Sequence, residues 1–185
     1  MRVIVFGATG SIGHLTVQEL LKEGHEVTAF ARNPQKLSFT NPKLSLIAGD
    51  ALDGKDVLAA VKDHDAVVIT LGSGMSRRSI IRSKGTKNVI RAMHAHSVRR
   101  LICQSTLGVG ESWFNLNFWW KRVMFGVLLA PVFCDHELQE QLVEVSGLDW
   151  TIVRPAAFTN DATSRPVIED VPISANGLDL KVSRY

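Results

Sequence analysis

Short runs of consecutive apolar residues alternate along the chain with stretches in which apolar residues recur every three or four positions. The first run, at 3–6, is wholly apolar and stops at Gly7, which is typical of a strand buried on both faces of a sheet. Further strands are predicted at 27–31, 44–48, 66–71, 100–104 and 150–153, and helices at 11–23, 53–61, 79–96 and 137–145. Because strands and helices alternate, we predict an α/β protein, a doubly wound parallel sheet with helices on both faces.

The length and composition of the chain change this prediction little. Its 185 residues suit a single domain, 1–185, and 45% hydrophobic with 21% charged residues is an ordinary globular composition. The net charge is only +3 and the basic residues are scattered, so we expect no nucleic-acid partner. Two cysteines without paired spacing, and no apolar stretch long enough to span a bilayer, predict a cytoplasmic protein without disulfides. We also expect no metal site, because no spacing of ligand residues indicates one.

Six segments follow predicted strands at one edge of the sheet, where parallel α/β sheets bind their ligands. They are 7–13, Arg32, Asp50, 71–74, 105–106 and the chain from Pro155 onward. The first has the spacing G-x-x-G-x-x-G between a predicted strand and a predicted helix, which is the context that a dinucleotide-binding turn requires. Gly7 allows the sharp turn, Gly10 a close approach of the backbone to a diphosphate, and Gly13 close packing of the helix on the strand. Since the helix N-terminus also offers N–H groups to phosphates, we predict a Rossmann-type domain that binds a dinucleotide.

The residue after the second strand distinguishes the two nicotinamide dinucleotides. NAD-selective sites usually carry Asp or Glu there, ~20 residues beyond the glycine loop, to bind the ribose 2′-hydroxyl. This chain has Arg32, nineteen positions after Gly13, and no carboxylate at the strand end. Arginine pairs bidentately with a 2′-phosphate and Lys36 adds a second positive charge, so NADP(H) is the predicted cofactor. Two alternatives stay open: Arg32 is an ordinary surface residue, and Asp50, which we expect to accept from the adenine amino group, only caps a turn.

Five motifs follow one another along the chain: GATGSIG at 7–13, GD at 49–50, GTKNVI at 85–90, VRRLICQS at 98–105 and SGLDWTIVRP at 146–155. Together they resemble the atypical short-chain dehydrogenases/reductases of the NAD(P)-binding, NmrA-like group, in particular the biliverdin reductase B/flavin reductase type. The resemblance implies a pyrophosphate site formed by Thr9, Gly10, Ser11 and Ile12, with Arg32 at the 2′-phosphate. It also implies that Asp50 and Ala51 border the adenine, that Leu71, Gly72 and Ser73 lie along the cofactor, and that Ser105 sits beside the nicotinamide.

The chain departs from these relatives in three places. Typical short-chain dehydrogenases donate a proton from the tyrosine of a Tyr-x-x-x-Lys pair, but the only tyrosine here is Tyr185, and Asn117-x-x-x-Lys121 keeps only the spacing. The flavin reductase type carries a histidine just after the proline that follows the last strand, where this chain has Ala156. Relatives also usually continue into another helix, so one interpretation is that the C-terminus at Tyr185 is truncated.

Without a suitable tyrosine, two other residues are candidates for the chemistry. Ser105, at the end of the fifth strand, either donates a hydrogen bond to a substrate or nicotinamide carbonyl or simply caps the strand end. His136, one turn before Glu140, is a proton donor, a pocket wall or a solvated helix residue. A flavin or quinone can take a hydride from the cofactor and its proton from solvent, so a strong protein acid is not required.

An aromatic-rich insertion at about 111–133 holds three of the four tryptophans. In order of preference, we interpret it as a helical segment that packs on the core or in a homodimer, as a lid that stacks on a flat substrate, or as a shallow membrane contact. For the whole chain we predict an NADPH-dependent reductase that transfers a hydride to a small planar acceptor. The alternative is an NmrA-like redox sensor that binds the dinucleotide without turnover.

Overall fold

The computed structural model describes residues 1–74, 76, 80–110, 130–159 and 181–183 of the chain. Within them six strands form one sheet: β1 (Arg2–Phe6), β2 (Glu26–Ala31), β3 (Leu44–Ala48), β4 (Ala66–Ile69), β5 (Arg100–Gln104) and β6 (Asp149–Val153). The helices are α1 (Ser11–Lys22), α2 (Gly54–Val61), α3 (Ile81–Ala95) and α4 (Ala130–Glu144). A 3₁₀ turn at Pro34–Lys36 and a separate pair of short parallel strands, β7 (Ala157–Thr159) and β8 (Lys181–Ser183), complete the described elements.

The strands of the large sheet lie in the order β3-β2-β1-β4-β5-β6, and every neighbouring pair is parallel. The chain therefore builds outward from β1 to β3 and then crosses back to place β4 on the other side of β1. This is the predicted Rossmann-type, doubly wound sheet, and the reversal of direction between β1 and β4 opens a crevice at the carboxyl ends of the strands.

Alternate residues of β1 are buried on opposite faces of the sheet. Val3 and Val5 belong to one apolar core with Val17 of α1, whereas Ile4 and Phe6 belong to a second core that includes residues of α2 and α3. Because helices cover both faces, the inner strands consist almost entirely of apolar residues, which explains the continuous apolar runs of the sequence.

The predicted strands and helices are all present, with some shifted ends. The predicted helix at 53–61 begins one residue later because Asp53 is its N-cap and accepts a hydrogen bond from the Lys55 N–H at 2.8 Å. The helix predicted at 137–145 was too short, since α4 already includes Ala130. Residues 130–134 are nearly all apolar, so their periodicity could not be separated from that of the aromatic segment. Residues 130–133 of the predicted insertion thus belong to α4.

Several predictions fall on residues outside the described part of the chain: the insertion at 111–129, with Asn117 and Lys121, and Tyr185. The parallel pair β7–β8 was not predicted. Cys103 is buried, Cys134 is exposed, and both are free thiols. None of the helices in the described residues is long and apolar enough to cross a membrane.

Candidate functional site

A cleft of about 710 Å³ lies along the carboxyl edge of the sheet, and each of the six segments predicted from the strand ends contributes to its lining. The predicted site residues that line it are Gly7, Thr9, Gly10, Ser11, Ile12, Arg32, Asp50, Ala51, Leu71, Gly72, Ser73, Ser105 and His136. Two predicted residues, Gly13 and Lys36, do not line it. A smaller hollow of about 350 Å³ at the amino ends of the first strands contains no predicted site residue.

The glycine loop brings the N-terminus of α1 directly over the end of β1. Gly7 has a φ of +85°, and a Cβ there would lie 2.6 Å from the Thr70 carbonyl oxygen. A Cβ on Gly13 would overlap the Gly7 carbonyl oxygen and lie 2.7 Å from Thr70 Oγ1, so Gly13 acts through close packing of α1 rather than by facing the cleft.

The first hydrogen bond of α1 runs from the His14 N–H to the Gly10 carbonyl at 2.9 Å. The N–H groups of the preceding residues in the helix, Ser11, Ile12 and Gly13, have no acceptor among the described residues. Free donors of this kind, together with the positive end of a helix dipole, are the groups that bind anions at helix N-termini in general.

Arg32 stands exposed at the rim of the cleft where β2 ends, and the described residues give its guanidinium no hydrogen bond or ion pair. Lys36 lies four residues on in the 3₁₀ turn, exposed and away from the cleft lining. Asp50 lines the cleft, and its carboxylate accepts a turn-forming hydrogen bond from the Leu52 N–H at 2.9 Å, as the turn-cap alternative predicted. Its contact with the adenine stays a prediction. Among the described lining residues, Asp50 is the single carboxylate.

Ser105 lies at the opposite end of the cleft from Arg32. Its backbone N–H donates to the Val153 carbonyl at 2.8 Å and so extends the pairing of β5 with β6. The residue is only 2% exposed, yet its hydroxyl makes no hydrogen bond to the described residues. The side chain therefore does not cap the strand, and its hydroxyl lies buried at the cleft without a partner among the described residues.

His136 comes from α4 and is 8% exposed where it meets the cleft. Burial, together with the positive charge of Arg82, lowers the pKa of its imidazole from 6.5 to about 4, against an opposing effect of Asp135. It is therefore not a solvated helix residue, and at neutral pH it is uncharged. A neutral imidazole is a weak proton donor but a competent hydrogen-bonding group, and its buried Nδ1 has no partner among the described residues.

Sequence reasoning missed two residues of this site, Arg82 in the first turn of α3 and Asp135 on α4. The Asp135 carboxylate accepts hydrogen bonds from the backbone N–H groups of Arg82 at 3.1 Å and Ser83 at 3.0 Å, and from the Ser83 hydroxyl at 2.5 Å. It thus caps α3 from another helix. Arg82, whose side chain is 11% exposed, lines the cleft and donates to Ser73 Oγ at 3.3 Å. No local sequence signal links Arg82 and Asp135, which are 53 positions apart.

The fold, the glycine-rich turn before α1 and the cleft are those of a Rossmann-type dinucleotide-binding protein. The chain belongs to the NAD(P)H-binding family, whose model matches residues 7–184. Membership confirms the resemblance to atypical short-chain dehydrogenases/reductases that the five sequence motifs indicated.

Individual relatives agree with this assignment. The chain is 35% identical over 113 residues to a 3-beta-hydroxysteroid dehydrogenase of Mycolicibacterium neoaurum, covering 55% of this chain and 31% of that protein. It spans 31% to 62% of the length of the first three curated relatives that it matches.

Two solved structures share the fold. A short-chain dehydrogenase/reductase of Veillonella parvula, solved in complex with NADP, superposes with a TM-score of 0.78 at 19% identity over 99% of this chain and 81% of that one. ChuY, an anaerobillin reductase of Escherichia coli O157:H7, superposes with a TM-score of 0.72 at 24% identity over 89% of this chain and 77% of that one.

Proposed function

We propose that the protein is an NADPH-dependent reductase that transfers a hydride to a small planar acceptor such as a flavin or quinone. The observation that carries this proposal is one continuous cleft, which joins Arg32 and the free N–H groups of α1 to the buried Ser105 and His136. The first group of residues suits a phosphorylated dinucleotide and the second suits an uncharged reacting group. The reductase named among the structural neighbours, and the neighbour solved with NADP, support the same function.

The residues at the cofactor end fit NADPH. The N-terminus of α1 would hold the diphosphate, and Arg32, which has no partner among the described residues, would bind the 2′-phosphate through its planar fork. Asp50 follows β3, whereas the acid of NAD-selective sites follows the second strand, where this chain has Arg32. The bound cofactor would supply the hydride.

At the other end, the protein's part is to orient the acceptor and exclude water. The Ser105 hydroxyl is positioned to donate to an acceptor carbonyl, and the neutral His136 adds a second hydrogen-bonding group beside it in the cleft lining. Neither group is an acid at neutral pH, since the pKa of His136 is lowered to about 4. This favours acceptors that become stable anions after reduction and take their proton from water.

The same lack of an acid favours a second candidate, an NmrA-like sensor that binds the dinucleotide and changes its contacts without turnover. In that case the segment at 111–133 is proposed to contact a partner or a second copy of the chain, in keeping with its aromatic residues. The two candidates share the cofactor, and the reduction of an acceptor distinguishes the reductase from the sensor.

The test is a titration with NADPH and with NADH, followed by addition of riboflavin or menadione while absorbance of the reduced nicotinamide is recorded. We expect NADPH to bind more tightly than NADH, and Arg32→Ala to weaken NADPH about 10- to 100-fold, as the loss of a charge-assisted hydrogen-bond pair predicts, with NADH unchanged. Arg91→Ala, which removes an exposed arginine from α3, is the matched control and should change neither affinity.

Acceptor-dependent oxidation of NADPH supports the reductase. Tight binding with no oxidation by either acceptor supports the sensor. Equal affinity for NADPH and NADH would contradict the role proposed for Arg32.

A further inference from the structure

Three buried polar atoms that line or adjoin the cleft have no hydrogen-bond partner among the described residues: Arg82 Nε, Ser105 Oγ and His136 Nδ1. An unsatisfied buried donor or acceptor destabilises the folded protein, and native proteins rarely leave several in one place. Since all three residues line the same cleft, the polar atoms of a bound ligand are the natural partners.

The contacts that the guanidinium of Arg82 makes with the described residues are all on one side, at Nη1. Its Nη1 donates to Ser73 Oγ at 3.3 Å and lies 3.8 Å from Asp135 Oδ2. Its Nε is buried without a hydrogen-bond partner among the described residues. Nη2 lies on the same edge as Nε in any arginine, and the contacts of the guanidinium with the described residues, to Ser73 and Asp135, both run through Nη1. An arginine with this pair of donors free presents the edge that binds a carboxylate in a side-on, bidentate way.

In Arg154 the corresponding edge of the guanidinium, formed by Nε and Nη2, binds a carboxylate of the protein itself. Its Nε lies 3.0 Å from Glu140 Oε1 and its Nη2 lies 2.7 Å from Glu140 Oε2, so the carboxylate bridges the two donors. The protein thus contains one arginine whose side-on edge holds a carboxylate and a second, Arg82, whose identical edge has no carboxylate among the described residues.

The charge of Arg82 is also poorly compensated within the described residues. The nearest carboxylate, Asp135, accepts three hydrogen bonds from Arg82 N–H, Ser83 N–H and the Ser83 hydroxyl at the start of α3. Its distance of 3.8 Å from Arg82 Nη1 is beyond hydrogen-bond range. A largely buried cation with a weak ion pair attracts an anionic ligand strongly, because little water screens it.

We propose that Arg82 binds a carboxylate of the acceptor, so that the substrate class of this reductase is a planar acceptor carrying a carboxylate group. This inference rests on the proposed function and narrows its substrate. The carboxylate accepts from Nε and Nη2 of Arg82, while Ser105 and His136 contact the ring system. The phosphates of the cofactor have their own donors in α1 and Arg32, so Arg82 serves the acceptor and not the dinucleotide.

A pair of flat probes that differ only in charge tests this without requiring turnover. Isothermal titration measures the binding of 2-naphthoate and of 2-naphthamide to the protein saturated with NADP⁺. We expect naphthoate to bind the wild-type protein at least about tenfold more tightly than naphthamide, and Arg82→Met to abolish this preference while naphthamide affinity changes less than about twofold. Arg91→Met removes one exposed arginine from the same helix and should keep the full preference.

Arg82→Gln is the second variant, because it keeps a side chain that can donate to Ser73 if Arg82→Met does not fold; it too should lose the preference. A wild-type protein that binds the two probes equally overturns the proposal. So does a variant at Arg82 that weakens NADP⁺ and leaves the naphthoate preference intact, since Arg82 would then serve the cofactor. Failure of NADP⁺ itself to bind the wild-type protein is a separate result, which contradicts the proposed function.

Discussion

The two ends of the cleft are built from different kinds of groups. At the end formed by β1 and α1, the candidate ligand contacts are backbone N–H groups. This end requires glycine at positions 7 and 13, because a Cβ at either position would clash with neighbouring backbone atoms. At the end formed by β5, α3 and α4, the candidate contacts are buried side chains, Ser105, His136 and Arg82. We therefore expect substitutions at the first end to act through steric clashes, and substitutions at the second end to act through lost charge or lost hydrogen bonds.

The largest effect is expected where a Cβ has no room. Gly13→Ala places a methyl group against the Gly7 carbonyl oxygen, so α1 must move away from β1. We expect the free energy of unfolding to fall by about 3 kcal/mol and NADPH affinity to drop at least about 100-fold, as calorimetry and denaturant titration would show. The control is Gly24→Ala, at a φ of +82°, where an added Cβ would meet the flexible Lys43 side chain at an ordinary contact distance of 3.9 Å from Nζ. It should cost about 1 kcal/mol and leave NADPH affinity unchanged. Wild-type affinity in Gly13→Ala would contradict the close-packing role.

The second-largest loss of stability is expected when the carboxylate of Asp135, which joins α4 to the start of α3, is removed. Asp135→Ala leaves two backbone N–H groups of α3 without their acceptor and Arg82 without its nearest negative charge. We expect a loss of about 2–3 kcal/mol in urea unfolding, with NADPH affinity within about twofold of wild type. Asp135→Asn, which keeps an acceptor oxygen but not the charge, should recover part of the loss. A large fall in NADPH affinity would show that the two ends are not independent.

The buried imidazole should make stability depend on pH. The pKa of His136 is about 4 in the folded protein against an ordinary 6.5, so between these values the unfolded chain binds a proton that the folded protein does not. The contribution of the neutral His136 to the free energy of unfolding is therefore fully present above about pH 6.5, and it is lost progressively as the pH falls toward 4. From about pH 7 to about pH 5, wild type should lose on the order of 2 kcal/mol more than His136→Gln. Equal pH dependence in the two proteins would exclude a buried, neutral His136.

The smallest change in stability is expected at Ser105. Because its buried hydroxyl has no partner among the described residues, Ser105→Ala should alter the free energy of unfolding by less than about 0.5 kcal/mol. NADPH affinity should also be unchanged, while kcat/KM for the acceptor falls about tenfold through loss of one hydrogen bond. Cys103→Ala, which alters a buried residue of β5 two positions before Ser105, serves as the control for nonspecific effects of changing the chain near the end of this strand. A marked loss of stability in Ser105→Ala would indicate a structural role instead.

The difference between the two ends also explains how much could be predicted from the sequence. The glycine loop and Arg32 belong to short local patterns with a strand before them. A short, continuous apolar run that ends at a glycine or a turn predicts such a strand when both of its faces are buried. The packed face of α4 has the opposite character: Asp135, His136 and Gln139 are buried on it, whereas Leu138 is 53% exposed. An apolar pattern cannot identify a helix face that is buried through hydrogen bonds and ion pairs, so the burial of His136 and the contact between Asp135 and Arg82 required the tertiary structure.

The strand order has a further consequence for how the protein folds during its synthesis. The first three strands pair with one another, but the crevice beside β1 exists only after the chain has returned to add β4 on its other side. A nascent chain can therefore form the half of the sheet that contains β1, β2 and β3 before the binding site is complete. A dinucleotide that binds only the finished crevice stabilises only molecules in which both halves have docked. Resistance to proteolysis during synthesis should consequently rise with the cellular concentration of the cofactor, which would link the abundance of the protein to the supply of its own ligand.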